Sequence, residues 1–194
     1  MNDENSRKWL ILPYCLIVAV AAARLSMVFP FNFVPIFSCL LFFGAKRKNK
    51  ELALACAVFI GVDIFLTKIK YGYPLSVDHA VTWLWYGAAL IAGAKLLRRS
   101  YTLQRVFTGL LSTAISFFVV SNLAVWMAWQ LYPKTWAGLG SCYIAALPFF
   151  RNSLFSEVLA TGMVFAVVRL LEIWREITLS NHIPGFNVNQ GELK

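Results

Sequence analysis

Long apolar runs separated by short, mostly basic connectors limit this chain to one kind of environment. The runs cover about residues 9–29, 33–45, 51–69, 79–97, 106–131 and 153–174. In hydrocarbon every backbone N–H and C=O must be bonded within the fold, so only helices and closed barrels cross a bilayer. The runs lack the roughly ten-residue alternation of barrel strands. They predict an all-α integral membrane protein with six transmembrane helices. Composition agrees: 59% hydrophobic residues, 14% charged and a mean hydropathy of +0.65 exceed what one soluble core uses.

A net charge of +9 would point to nucleic acid in a soluble protein, but the basic residues lie between the apolar runs. With six crossings and a cytoplasmic N-terminus, the inner side receives Arg7, Lys8, Lys46, Arg47, Lys48, Lys50, Lys95, Arg98, Arg99, Arg105, Arg169, Arg175 and Lys194. The outer side receives Lys68, Lys70, Lys134 and Arg151. That is a positive-inside bias, and it predicts that both termini are cytoplasmic. It requires the short second run to cross, although 13 residues reach only about 20 Å as helix against a core of about 30 Å. The run Trp9 to Phe29 is long enough to be a retained span rather than a cleaved signal. The expected organisation is one membrane domain over 1–175 and a polar cytoplasmic tail over 176–194.

Ionisable groups inside such helices are costly and face a bundle interior or a cavity. Arg24, Asp63 and Glu157 are the clear cases, and each falls about 6 to 9 Å below the outer boundary at 1.5 Å per residue. Asn122, Trp126 and Trp129 follow at i, i+4 and i+7 in the fifth run, an amide and two indoles on one face. Two readings stand for the charges: an ion pair that sets helix register, or a solute site. Trp126 likewise either binds or packs.

Before the last run, "KTWAGLGSCYIAALPFFRNS" predicts a short re-entrant or interfacial helix on the outer face, N-capped by Thr135 and stopped by Pro148. Asn152 or Ser153 would then cap the last span beside Arg151. Phe149 and Phe150 would wall a pocket whose rim favours an anionic or carbonyl-rich ligand.

Other signals are quieter. Cys15, Cys39, Cys56 and Cys142 sit within apolar runs as small hydrophobes, and no spacing points to a metal or cofactor. His79, after Asp78, reads as a cap or a water-facing residue rather than a metal ligand. "GLGS" resembles a serine-nucleophile motif, but no histidine follows in the remaining apolar run to act as its base. The chain therefore reads as no enzyme. Ala19 and Ala23 have the small-xxx-small spacing that admits a closely packed helix, from this chain or a partner.

"FNFVPIFSCLLFFGA", "GVDIF", "SNLAVW" and "LYPKTWAGLGSCYIAALPFFRNSLFSE" together look like a bacterial membrane family of transport-protein type. That family resembles the S components, the substrate-capturing subunits of energy-coupling-factor vitamin transporters. The resemblance covers about residues 15–170. It implies a six-helix subunit with cytoplasmic ends and an outward pocket capped by external loops. It also implies docking of the first helix, through Ala19 and Ala23, on a coupling membrane subunit that works with ATPases. Glu157 stands where that family usually has aspartate.

The combined expectation is a solute-binding subunit with a pocket of Arg24, Asn32, Asp63, Asn122, Trp126, Tyr143, Phe149, Phe150, Arg151, Asn152 and Glu157. Its partners would be a small solute, the lipid bilayer and a coupling subunit, with no nucleic acid. A proton-coupled transporter using Asp63 or Glu157, and a membrane scaffold that binds no solute, are the competing expectations.

Overall fold

The computed structural model describes residues 3–26, 33–100 and 102–182. All regular structure among them is helical: α1 (Asp3–Ser26), α2 (Ile36–Lys46), α3 (Asn49–Ile64), α4 (Val77–Ala92), α5 (Leu103–Ala128) and α6 (Trp136–His182). Wider π-helical turns extend α3 over Phe65–Lys70 and α4 over Gly93–Leu97. Three helices are long and apolar enough to cross a membrane: Asn49–Lys70, Val77–Leu97 and Leu103–Ala128. The chain divides into two compact units, Met1–Val158 and Leu159–Lys194. In the second unit the described residues continue α6.

Two boundaries differ from the sequence reading. The stretch around Pro148 is not a separate re-entrant helix before a span at 153–174; α6 begins at Trp136 and runs through Pro148. Thr135 does cap it, accepting from the Gly138 N–H at 3.1 Å, but Arg151, Asn152 and Ser153 fall mid-helix and not at a helix start. Proline costs about 3 kcal/mol in an exposed helix interior. Here Ala146, Phe149, Phe150, Ser153 and Glu157, on both sides of the proline, lie on one helical face, and the buried Glu157 ties that face to α2. At the other end α6 continues to His182, past the point where the tail was expected to begin.

The first unit is built around α2. Its 11 residues span only about 16 Å, and all ten from Ile36 to Ala45 are buried. A helix apolar on every side is an interior helix, and α2 is enclosed by α1, α3, α4 and α5. Its contact with α4 is closest at two reciprocal glycines. A Cβ at Gly44 would overlap the Leu90 carbonyl, and one at Gly93 would overlap the Leu41 carbonyl. Small residues permit this approach of two backbones. The pitch of α4 also changes at Gly93.

Neither end of α2 is capped by its own sequence. Pro35 stands at the N-cap and offers no side-chain acceptor. The Glu157 carboxylate of α6, 1% exposed, takes that role. It accepts from the Phe37 N–H through Oε1 at 2.8 Å and from the Ser38 N–H through Oε2 at 2.7 Å. The Ser38 hydroxyl adds a third bond to Oε2 at 2.5 Å. At the C-terminus, Arg98 donates to the carbonyls of Gly44 (3.2 Å) and Arg47 (2.8 Å). A carboxylate thus faces the positive end of the helix dipole and a guanidinium the negative end.

Two predictions follow from this packing. Glu157→Ala would leave two backbone donors buried without an acceptor, while the Ser38 hydroxyl keeps the Glu157 backbone carbonyl at 2.8 Å, a loss of about 3 to 5 kcal/mol. Thermal unfolding in detergent should show a midpoint roughly 6 to 15 °C lower, with Glu157→Gln intermediate because it keeps one acceptor. Gly93→Val should force α2 and α4 apart and cost about 1 to 3 kcal/mol or more. Gly87→Ala, where an added Cβ meets nothing within 4 Å, is the control and should unfold like the parent.

Candidate functional site

Within the first unit the helices leave a cavity of about 350 Å³. Its lining repeats helix by helix. From α5 come Ala114, Phe117, Phe118, Ser121, Asn122 and Val125, an unbroken i, i+3, i+4 stripe, and from α4 come Asp78, Thr82 and Tyr86, one per turn. The α6 stripe described above faces them, with Val34, Ile36 and Phe37 at the start of α2 and Arg24 from α1. Asp78 is the second residue of α4 and Val125 lies three residues before the end of α5, so they mark a shallow end. Tyr86, Ala114 and Glu157 mark a deep end about 12 to 16 Å farther along their helices.

The deep end is polar by construction. Arg24 donates to Asp63 Oδ1 at 2.7 Å, and the Tyr86 hydroxyl donates to Asp63 Oδ2 at 2.9 Å. The Arg24 side chain keeps 28% of its surface exposed, whereas Asp63 keeps 5%. Asp63 therefore sits behind the wall and orients two lining groups. The Arg24 Nε–H is buried and finds no acceptor among the described residues. A buried donor left unmet costs roughly 1 to 3 kcal/mol, so an acceptor arriving there is favoured. The π turn of α3 begins at Phe65, two residues after Asp63.

The middle is aromatic with scattered hydroxyls. Phe37 and Phe117 meet edge to face at 5.1 Å, and Phe118 stacks on Phe150 at 4.4 Å. Asn122 uses one N–H on the Phe118 carbonyl at 2.8 Å, which leaves its amide oxygen unused. Ser121 and Ser153 also line the cavity. At the shallow end Trp129 reaches across from the end of α5 to Asp78 Oδ1 at 3.2 Å.

Of the residues expected from sequence, Arg24, Asn122, Phe149, Phe150 and Glu157 line this cavity, and Asp63 supports it from behind. Both Glu157 oxygens are engaged by α2, which makes it a structural cap at the cavity wall. Trp126, Tyr143, Arg151 and Asn152 are not among the lining residues. Trp126 donates to the Pro133 carbonyl at 2.9 Å and carries the Lys134 ammonium 5.2 Å over its ring, so it closes the connection from α5 to α6. Its expected face-mate Trp129 lies past the end of α5 in extended backbone. The Tyr143 hydroxyl donates to the Val119 carbonyl at 2.6 Å, and Arg151 is exposed. Asn32 lies outside the described residues. On α1, Ala19 is exposed and Ala23 half-buried.

Asp78, Thr82, Tyr86, Ser121 and Ser153 were missed. The spacing of Asp78, Thr82 and Tyr86 was a legible signal, since three polar groups at i, i+4 and i+8 share a face. Nothing local tied Tyr86 to Asp63. Among the described residues no group of three His, Cys, Asp or Glu could hold a metal ion.

No curated protein and no solved structure matches the chain. Residues 3–179 match the family of unknown function DUF6580, and over that length the chain belongs to this family.

Proposed function

We propose that this chain is the solute-binding membrane subunit of a small-molecule uptake system. The observation that carries the reading is the cavity itself: space for a small ligand among apolar helices, with an arginine held in place by Asp63 and an unmet donor at its deep end. Ligand sites have this character, mostly apolar and aromatic walls with a few convergent polar groups. An ion pair that served register alone would need neither the open volume nor the unused hydrogen-bonding capacity of Arg24 and Asn122.

In this reading the protein crosses a bacterial inner membrane six times with both termini cytoplasmic. The wholly buried α2 acts as the central post of the bundle. The chain is not itself an enzyme. The chain shows no phosphate-binding glycine loop, so in this reading energy comes from a coupling membrane subunit with its ATPases or from ion coupling.

Native mass spectrometry of the gently solubilised full chain should find a bound small molecule. Arg24→Ala should weaken its retention about 10- to 100-fold through the lost charged hydrogen bond. Ala146→Trp, which fills the shallow end and leaves the Arg24–Asp63 pair intact, should abolish binding while the thermal midpoint of the unliganded protein stays close to the parent. A well-folded chain with no bound molecule and no thermal shift with any small solute would refute the reading.

A further inference from the structure

The charges of the cavity are unequally answered. Arg24 supplies the positive charge of the described lining, and Asp63 neutralises it at 2.7 Å. Glu157 is taken up by the N-terminus of α2. Asp78 at the shallow end has no cation. Its Oδ1 accepts from two neutral donors, the Ser76 hydroxyl and, at 3.2 Å, the Trp129 indole. Its Oδ2 approaches the His79 Nδ1 at 3.5 Å.

That nitrogen does not answer the charge. His79 Nδ1 faces the Ser76 backbone N–H at 3.3 Å, which makes it an acceptor, and Nε2 lies 3.1 Å from the Thr67 hydroxyl. The hydrogen-bond pattern assigns the proton of a neutral imidazole to Nε2, leaving Nδ1 nothing to donate to Oδ2. The basic residues of the nearby connection are placed elsewhere. Lys134 is spent on carbonyls at the end of α5, among them Trp129 at 2.8 Å, and Arg151 is exposed and outside the lining. The shallow end of the cavity therefore carries a carboxylate answered by neutral donors and by the N-terminus of its own helix, with no lysine or arginine bonded to it among the described residues, and below it lies a wall of phenylalanines.

We infer that the solute is an organic cation with a flat apolar body, seated with its positive group at Asp78 and an acceptor group toward the Arg24 Nε–H. This rests on the cavity being a solute site, and it reverses the anionic preference expected when Arg151 was placed at a pocket rim. An anion would meet the Asp78 carboxylate at the shallow end and an arginine already paired with Asp63. A cation gains from Asp78 while its flat body packs on the aromatic wall below.

The test uses the purified full chain and three probes sharing a benzyl body: benzyltrimethylammonium, phenylacetate and benzyl alcohol. Binding is read by calorimetry and by the fluorescence of the tryptophans, one of which touches Asp78. Benzyltrimethylammonium should bind at least about tenfold more tightly than phenylacetate. Asp78→Asn should reduce that preference to within about twofold without changing the affinity for benzyl alcohol. Asp63→Asn, which releases Arg24 from its partner, should strengthen phenylacetate binding. Equal or tighter binding of phenylacetate to the parent chain, or a cation preference that survives Asp78→Asn, would overturn the inference while leaving a solute site in place. If none of the three probes binds in a manner that Ala146→Trp abolishes, the solute site itself is refuted.

Discussion

The first turn of a helix presents backbone N–H groups that the helix cannot satisfy, and in α2 those groups are buried. Pro35 supplies no side-chain acceptor, so an acceptor has to come from elsewhere in the chain. It comes from Glu157, some 120 residues away in α6. That single carboxylate fixes the register of α6 against α2. With it are fixed the positions of Phe149, Phe150 and Ser153, one or two turns earlier on the same face. Arg98 fixes the opposite end in the same manner, tying the close of α4 to the close of α2. The reciprocal glycine contacts at Gly44 and Gly93 then set how near the two helices come. The cavity is the space left once these constraints are met.

Polar clusters at the two ends of α2 divide the labour. Near its C-terminus, Arg47 donates to Glu51 at 2.5 Å and lies 4.8 Å over the Tyr14 ring, while the Tyr14 hydroxyl also reaches Glu51. All three groups are used on one another. At the other end Asp63 holds Arg24 and Tyr86 but leaves Arg24 with a donor unspent. A closed cluster adds rigidity, whereas one with spare capacity beside a cavity can accept a ligand. This contrast separates structural from ligand-directed polar groups within one bundle.

Much of the fold was legible because hydrocarbon solvent imposes a simple rule on sequence: long apolar runs become helices, and the breaks between them become connections. The layer of Arg24 and Asp63 was legible for the same reason, since a charge inside such a run has few places to go. Illegible were the features decided by contact between distant segments. Pro148 looked like a stop because the local cost of proline is visible in sequence, whereas the anchoring of the same helix by Glu157 nine residues later is not. Trp126 and Tyr143 looked like binding residues because an indole or a phenol suits a pocket. Their actual acceptors, the carbonyls of Pro133 and Val119, are backbone atoms that no residue type advertises.

The amino-acid sequence by itself determined that this chain is helical and apolar, with basic connectors and a few charges held within its helices. Local composition suffices for that, because each run answers to its solvent independently of the others. Only the tertiary structure decided what each charge does. Glu157 became a cap, Asp63 a support, Arg24 a half-used donor and Asp78 a carboxylate held by neutral donors. Those roles depend on which backbone and side-chain groups lie within 3 Å, and that proximity exists only once the helices have packed.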